Sequence, residues 1–157
     1  MSLTHKQFDR RQILKAASGL SLVAAGATLA PKMAFAAWNK AAFDAKNMSD
    51  TYAAMGAGSP SASSDVQIVA SDIAENGAVV PITAVSKLAN TEQISILVEK
   101  NPNMLAAKFD LTPDTVSVVT TRIKMGQTSN VIVLVKAGGK YYTATKEIKV
   151  TLGGCGG

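Results

Sequence analysis

The chain has 157 residues, with 16 Lys and Arg against 11 Asp and Glu, and is 47% hydrophobic but only 5% aromatic. It holds one histidine, His5, and one cysteine, Cys155. One cysteine excludes an internal disulfide, and a chain that lost His5 would have no imidazole for a Ser-His-Asp triad, a Cys-His pair or a histidine metal site.

Residues 1–36 read as a cleavable export signal: a basic start (Lys6, Arg10, Arg11, Lys15), a mildly apolar run from Ala16 to Ala30, and Ala34-Phe35-Ala36 before Ala37. Ser18, Gly19, Ser21, Gly26 and Thr28 interrupt that run, which falls short of the roughly 20 apolar residues of a membrane span. Arg10-Arg11-Gln12-Ile13-Leu14-Lys15 resembles the twin-arginine export pattern, from which Asp9 and Ile13 depart. The expectation is a periplasmic protein without a membrane anchor, exported by the twin-arginine route and cleaved after Ala36. Cleavage there removes five of the 16 basic residues, one of the 11 acidic ones and His5, leaving 121 residues with 11 bases against 10 acids. The basic charge of the whole chain therefore gives no support to nucleic-acid binding.

Residues 37–65 form an N-terminal segment in which Trp38 and Phe43 read as anchors, Ser49 as the cap of a short helix through Met55, and residues 56–64 as a Gly- and Ser-rich loop. From Val66 the hydrophobic period becomes two, and residues 66–152 read as one β domain. Val66, Ile68 and Ala70 share a face. A second run covers 78–86, where Pro81 cannot donate to a ladder and argues for an edge or a bulge. Further strands are expected at 93–99, 104–111 and 115–125. In the second of these, Leu105, Ala107, Phe109 and Leu111 face the core. In the third, the apolar phase slips between Val118 and Val119, which predicts a bulge. Residues 131–135, "VIVLV", are apolar on both faces, as in a central strand, and Gly138-Gly139 predicts a two-residue hairpin into a last strand from Lys140 to Leu152.

Seven short strands and no helix-strand alternation predict an all-β, immunoglobulin-like antiparallel sandwich with a short N-terminal helix and a flexible C-terminal arm; an up-and-down barrel is the structural alternative. Mature methionines Met48, Met55, Met104 and Met125 offer soft thioethers, but scattered singly they read as filler and not as a copper site. Asp110 and Asp114 flank Thr112-Pro113 and read as solvated turn residues, not as a catalytic pair.

The last strand's apolar set, Ile148, Val150 and Leu152, stops where the arm 153–157 begins. Gly153, Gly154, Gly156 and Gly157 flank Cys155 with the residue that constrains a backbone least. Three residues at about 3.3–3.6 Å each carry the thiol roughly 10 Å beyond Leu152. A frayed end with an incidental thiol, a lipid attachment and a covalent carrier are the readings to weigh. An exposed thiol invites mispairing in an oxidising compartment, so its placement at the most reachable point argues for use. Lipidation fails on position, since a lipobox cysteine follows an N-terminal signal and Cys-Gly-Gly is no prenylation box. A sulfur on a slender arm suits a carrier, because it can hold a small sulfur group through an S–S bond and enter narrow active sites. With an ordinary pKa near 8.5 the thiol is only a few per cent ionised at neutral pH, so activation falls to a partner. The alternative from another class is an exported structural β domain that uses Cys155 for an intermolecular disulfide.

The ending "KEIKVTLGGCGG" (146–157), "VEKNPNMLAAKFDL" (98–111), "TTRIKMGQ" (120–127), "DIAENGAVVPITAV" (72–85) and the twin-arginine start resemble the SoxY family, the sulfur-carrier subunits of the periplasmic Sox thiosulfate-oxidising system. The resemblance covers essentially the whole chain. It implies a non-catalytic subunit paired with a SoxZ subunit that lacks its own signal, with Cys155 as the attachment point of covalent sulfur intermediates (S-thiosulfonate or persulfide) and Gly153, Gly154, Gly156 and Gly157 as the arm. It further implies that a haem enzyme, SoxAX, joins thiosulfate to the cysteine oxidatively, that SoxB hydrolyses the terminal sulfone to sulfate, and that SoxCD, where present, oxidises the remaining sulfane sulfur. No resident metal or other cofactor is expected.

Overall fold

A period of two in the hydrophobic pattern dictates strands with one buried face, and the structure, a computed structural model that describes residues 38–151, packs such strands into two sheets. In chain order the strands are β1 (Ser61–Ala62), β2 (Val66–Val69), β3 (Ile73–Ala74), β4 (Val80–Ser86), β5 (Thr91–Val98), β6 (Leu105–Asp110), β7 (Val118–Ile123), β8 (Ser129–Ala137) and β9 (Lys140–Val150). One sheet runs β1-β9-β8-β5-β6, with β3 added to the far end of β9; the other runs β2-β4-β7. Setting aside the two-residue strands β1 and β3, seven strands in two antiparallel sheets make the expected sandwich.

The main core lies between the sheets. Val66, Ile82, Ala84, Val119 and Ile123 from one side meet Ile94, Ile96, Val131, Val133, Val135 and Ile148 from the other. The chain crosses from β4 to β5 through a turn in which Asn90 takes φ +53°, and buried Ser86 and Thr91 satisfy each other at that corner with a hydroxyl pair 2.8 Å apart.

Two short helices cover the outer face of the four long strands: α1 (Lys40–Asp44) and α2 (Met48–Met55). Ala42, Met55 and Ala57 pack there against Leu97, Leu105, Ile132 and Leu134, and Tyr141 donates its hydroxyl to the Met55 carbonyl at 2.7 Å. The double-sided apolar run "VIVLV" is thereby explained. Val131, Val133 and Val135 point between the sheets, and Ile132 and Leu134 point at the helices. Gly138 and Gly139 take φ +54° and +74°, the left-handed pair that a two-residue hairpin needs between β8 and β9.

Several local expectations change. The cap of α2 is Asn47, whose side-chain oxygen accepts the Asp50 N–H at 2.8 Å, and Ser49 lies inside the helix. Of the two expected anchors, Phe43 packs on the helix-side core, whereas Trp38 stacks on it with centroids 4.5 Å apart and stays 63% exposed. Strand β4 is central, yet Pro81 sits beyond the end of β2, whose last partner is Val69 opposite Thr83, so locally its only ladder neighbour is β7. No bulge occurs at Val118-Val119: β7 starts at Val118, keeps one register along β4, and buries Val119 and Ile123, with Met125 buried just beyond. Val116 precedes the strand and is exposed, so the apparent slip marked the strand's start. A real irregularity lies in β6, where Ile96 pairs with Ala107 but Leu97 with Leu105. The extra residue turns Leu105 to the helices, while Phe109 and Leu111 face the inter-sheet core.

Candidate functional site

The expected signal (1–36, with Arg10 and Arg11), Leu152, Gly153, Gly154, Cys155, Gly156 and Gly157 lie outside the described residues. What the structure describes is the base from which the arm departs, and it is tied on three sides. On one side Ser129, the first residue of β8, pairs with Ile148, which is fully buried. Beyond it the Val150 N–H donates to the Thr128 hydroxyl oxygen at 3.0 Å. On the other side β3 runs parallel to the end of β9, Ile73 opposite Lys149 and Ala74 opposite Val150. The Lys149 N–H donates to the Asp72 carbonyl at 2.9 Å and the Thr151 N–H to the Ala74 carbonyl at 3.2 Å.

Below these strands lies Gly77. A Cβ there would fall 2.4 Å from the Met125 carbonyl oxygen and 2.8 Å from Val150 Cγ1, so only glycine lets the 75–79 turn close on half-buried Val150 at the end of β9. The turn is itself fixed by the Ala78 N–H donating to Asn76 Oδ1 at 2.9 Å and the Met125 N–H to the Gly77 carbonyl at 2.7 Å.

Side-chain charge adds a fourth tie. Lys146 Nζ donates to the Ala70 carbonyl at 2.6 Å and to Asp72 Oδ1 at 2.8 Å. That hydrogen bond holds the Asp72 carboxyl below its usual range, helped by the charges of Lys146 and Lys149. Beside the base, an open cleft of about 490 Å³ is lined by Val69, Ile73, Ala74, Val79, Pro81 and Thr83, of which Val69, Ile73 and Val79 are exposed apolar side chains.

Among the described residues no group of three or more His, Cys, Asp or Glu is placed to hold a metal. Met125 and Met55 are buried in different cores. Asp110 is engaged by Lys108 and Gln93, which hold its carboxyl below the usual range, and Asp114 is exposed. Among the described residues no helix is long and apolar enough to cross a membrane.

The family model for the sulfur oxidation protein SoxY matches residues 51–155, and so ends on the cysteine of the arm. The chain belongs to the SoxY family. Among solved structures it is similar to the sulfur carrier protein SoxY from Chlorobium limicola f thiosulfatophilum, with 40% identity and a TM-score of 0.58 over 66% of this chain and 96% of that one. The superoxide reductase (neelaredoxin) from Ignicoccus hospitalis is 14% identical with a TM-score of 0.49, over 55% of this chain and 80% of that one, a likeness too loose to bear on chemistry. No curated protein matches.

The expected arm, 153–157, lies outside the described residues, and sequence reasoning missed the footing from which it would depart: Asp72, Gly77, Thr128 and Lys146. Asn76-Gly77 is a turn signal in any sequence, but its contact with Val150 links positions more than 70 residues apart and has no periodic trace.

Proposed function

We propose that this SoxY-family chain is the sulfur carrier of thiosulfate oxidation, holding intermediates on Cys155 Sγ and presenting them to successive enzymes. The observation that carries this reading is the family match that runs through to Cys155, with the arm glycines Gly153, Gly154, Gly156 and Gly157 around it. The similar Chlorobium protein is itself described as a sulfur carrier. The firm anchoring of β9 up to Thr151 fits an arm that begins abruptly.

In the cycle proposed, the Cys155 thiol and the sulfane sulfur of thiosulfate form an S–S bond. The thiol proton leaves, and two electrons pass to the haem enzyme SoxAX. SoxB then adds water across the terminal S–S bond, releasing sulfate and leaving a persulfide on Cys155. SoxCD, where present, removes further electrons from the outer sulfur. The chain contributes no acid, base or metal to these steps; it supplies the attachment atom and its freedom of movement. A SoxZ subunit is its proposed partner, and the periplasm, reached with Arg10 and Arg11 in a twin-arginine signal, its proposed location.

Replacement of Cys155 by Ser is expected to abolish thiosulfate-dependent activity of the reassembled system while leaving the circular dichroism and melting temperature unchanged. Full activity in Cys155→Ser would refute the carrier role.

A further inference from the structure

Strand β3 is only two residues long, too short to persist without other supports. Its contacts with β9 fall between Lys146 and Thr151, the end of that strand and the residue after it. Asp72 is engaged twice, by its carbonyl with the Lys149 N–H at 2.9 Å and by its carboxylate with Lys146 Nζ at 2.8 Å. Lys146 also reaches the Ala70 carbonyl at 2.6 Å, so one ammonium ties both flanks of Ser71 to β9. Opposite, Thr128 accepts the Val150 N–H at 3.0 Å. Without β3 and Thr128, residues 149–151 would extend past the last β8 pair, Ser129 with Ile148, and would have no neighbour in the ladder.

We propose that Asp72 and Lys146 are positioning residues for the arm: with β3 and Thr128 they form a clasp that fixes its root at Thr151, so that residues 149–151 stay with the sheet and add nothing to its length. The functional meaning rests on the carrier reading above; the clasp itself rests on the contacts just described. Releasing three residues would lengthen the reach of Cys155 by about 10 Å. It would also dilute the thiol over a larger volume, lowering its effective concentration at a docked partner roughly twofold as the free segment up to Cys155 grew from about four residues to about seven.

The test uses the mature chain with nitroxides on Cys155 and on a cysteine introduced by Thr120→Cys, on the exposed side of β7. Double electron–electron resonance then gives the distribution of distances between them. Lys146→Met, and Lys146→Met combined with Thr128→Val, are expected to broaden that distribution, by up to about 10 Å in the double variant. Lys146→Arg keeps the charge and the donors and is expected to keep the parental width. A lower melting temperature with unchanged width in both variants would make these residues merely structural and overturn the proposal. Because the width is read without any sulfur load, this outcome is independent of the carrier reading, whose failure would show as the absence of a sulfur adduct on Cys155.

Discussion

The two sheets of this domain are built from the same residue types but live in different surroundings. The sheet containing β8 and β5 is covered twice, by the opposite sheet and by α1 and α2, and its central strands are apolar on both faces. The β2-β4-β7 sheet is covered once. Its outer face carries Val69 at 60% exposure, Val118 at 45%, and a Thr83–Thr120 hydroxyl pair 3.0 Å apart. One sheet therefore forms the middle layer of the domain, and its strand β9 leads to the expected arm. The difference shows that strand burial is a property of layers: the same alternation needs a second apolar set only where a helix waits on the far side.

The largest expected break in that comparison comes from truncating the helix-facing layer. Leu134→Ala removes a side chain at 1% exposure and should cost about 2–5 kcal/mol, whereas Val118→Thr on the uncovered face should stay within about 0.5 kcal/mol. Denaturant titrations of the two variants measure both, and equal losses would mean that the helices contribute nothing to the covered sheet.

A smaller effect is expected at the arm's footing. Gly77→Ala places a methyl 2.4 Å from a backbone oxygen, which cannot swing aside as a side-chain tip can, and should cost about 1–3 kcal/mol. Amide exchange at Val150 and Thr151 should accelerate in the same variant. An unchanged melting temperature with unchanged exchange would show that the turn has slack.

The smallest effect is electrostatic. Glu92 pairs with Lys136 at 2.9 Å across the covered sheet, and hydrogen bonds from Lys136 and the Gly139 N–H hold its carboxyl below the ordinary value. A depressed carboxyl stabilises the fold above its unfolded value, near 4.3, and loses that contribution as pH falls through the lower folded value. The same bond raises Lys136, whose contribution is lost only as pH rises through its own raised value, above about 10.4. Glu92→Gln should therefore melt slightly earlier than the parent at pH 7 and no differently at pH 2. A gap that persists in strong acid would contradict the assignment.

What was legible in the sequence follows the reach of each signal. Gly138-Gly139 and the flanking period of two are local, and they specify the β8–β9 hairpin. The run "VIVLV" announced a strand covered on both faces, though not what covered it, because α1 is only five residues long and has no repeat to detect. The bulge was expected where Val116 and Val118 disturbed the phase, but both lie at an exposed strand entry. The irregularity at Leu105 is hidden because Leu105, Ala107, Phe109 and Leu111 alternate without a break and read as one face, whereas Leu105 packs toward the helices and Phe109 and Leu111 between the sheets. Cys155, unique and bracketed by glycines, is a local signal that predicts an arm, whereas the pairing of β3 with β9 joins positions more than 70 residues apart and leaves no such signal.

The most direct test of the carrier account is the intact mass of the mature protein from thiosulfate-exposed cells, before and after reductant, with fragmentation of the C-terminal peptide. The account predicts a reducible thiosulfonate or persulfide on Cys155. An unmodified thiol, or a cysteine joined only to a second polypeptide, would contradict it and favour a structural disulfide.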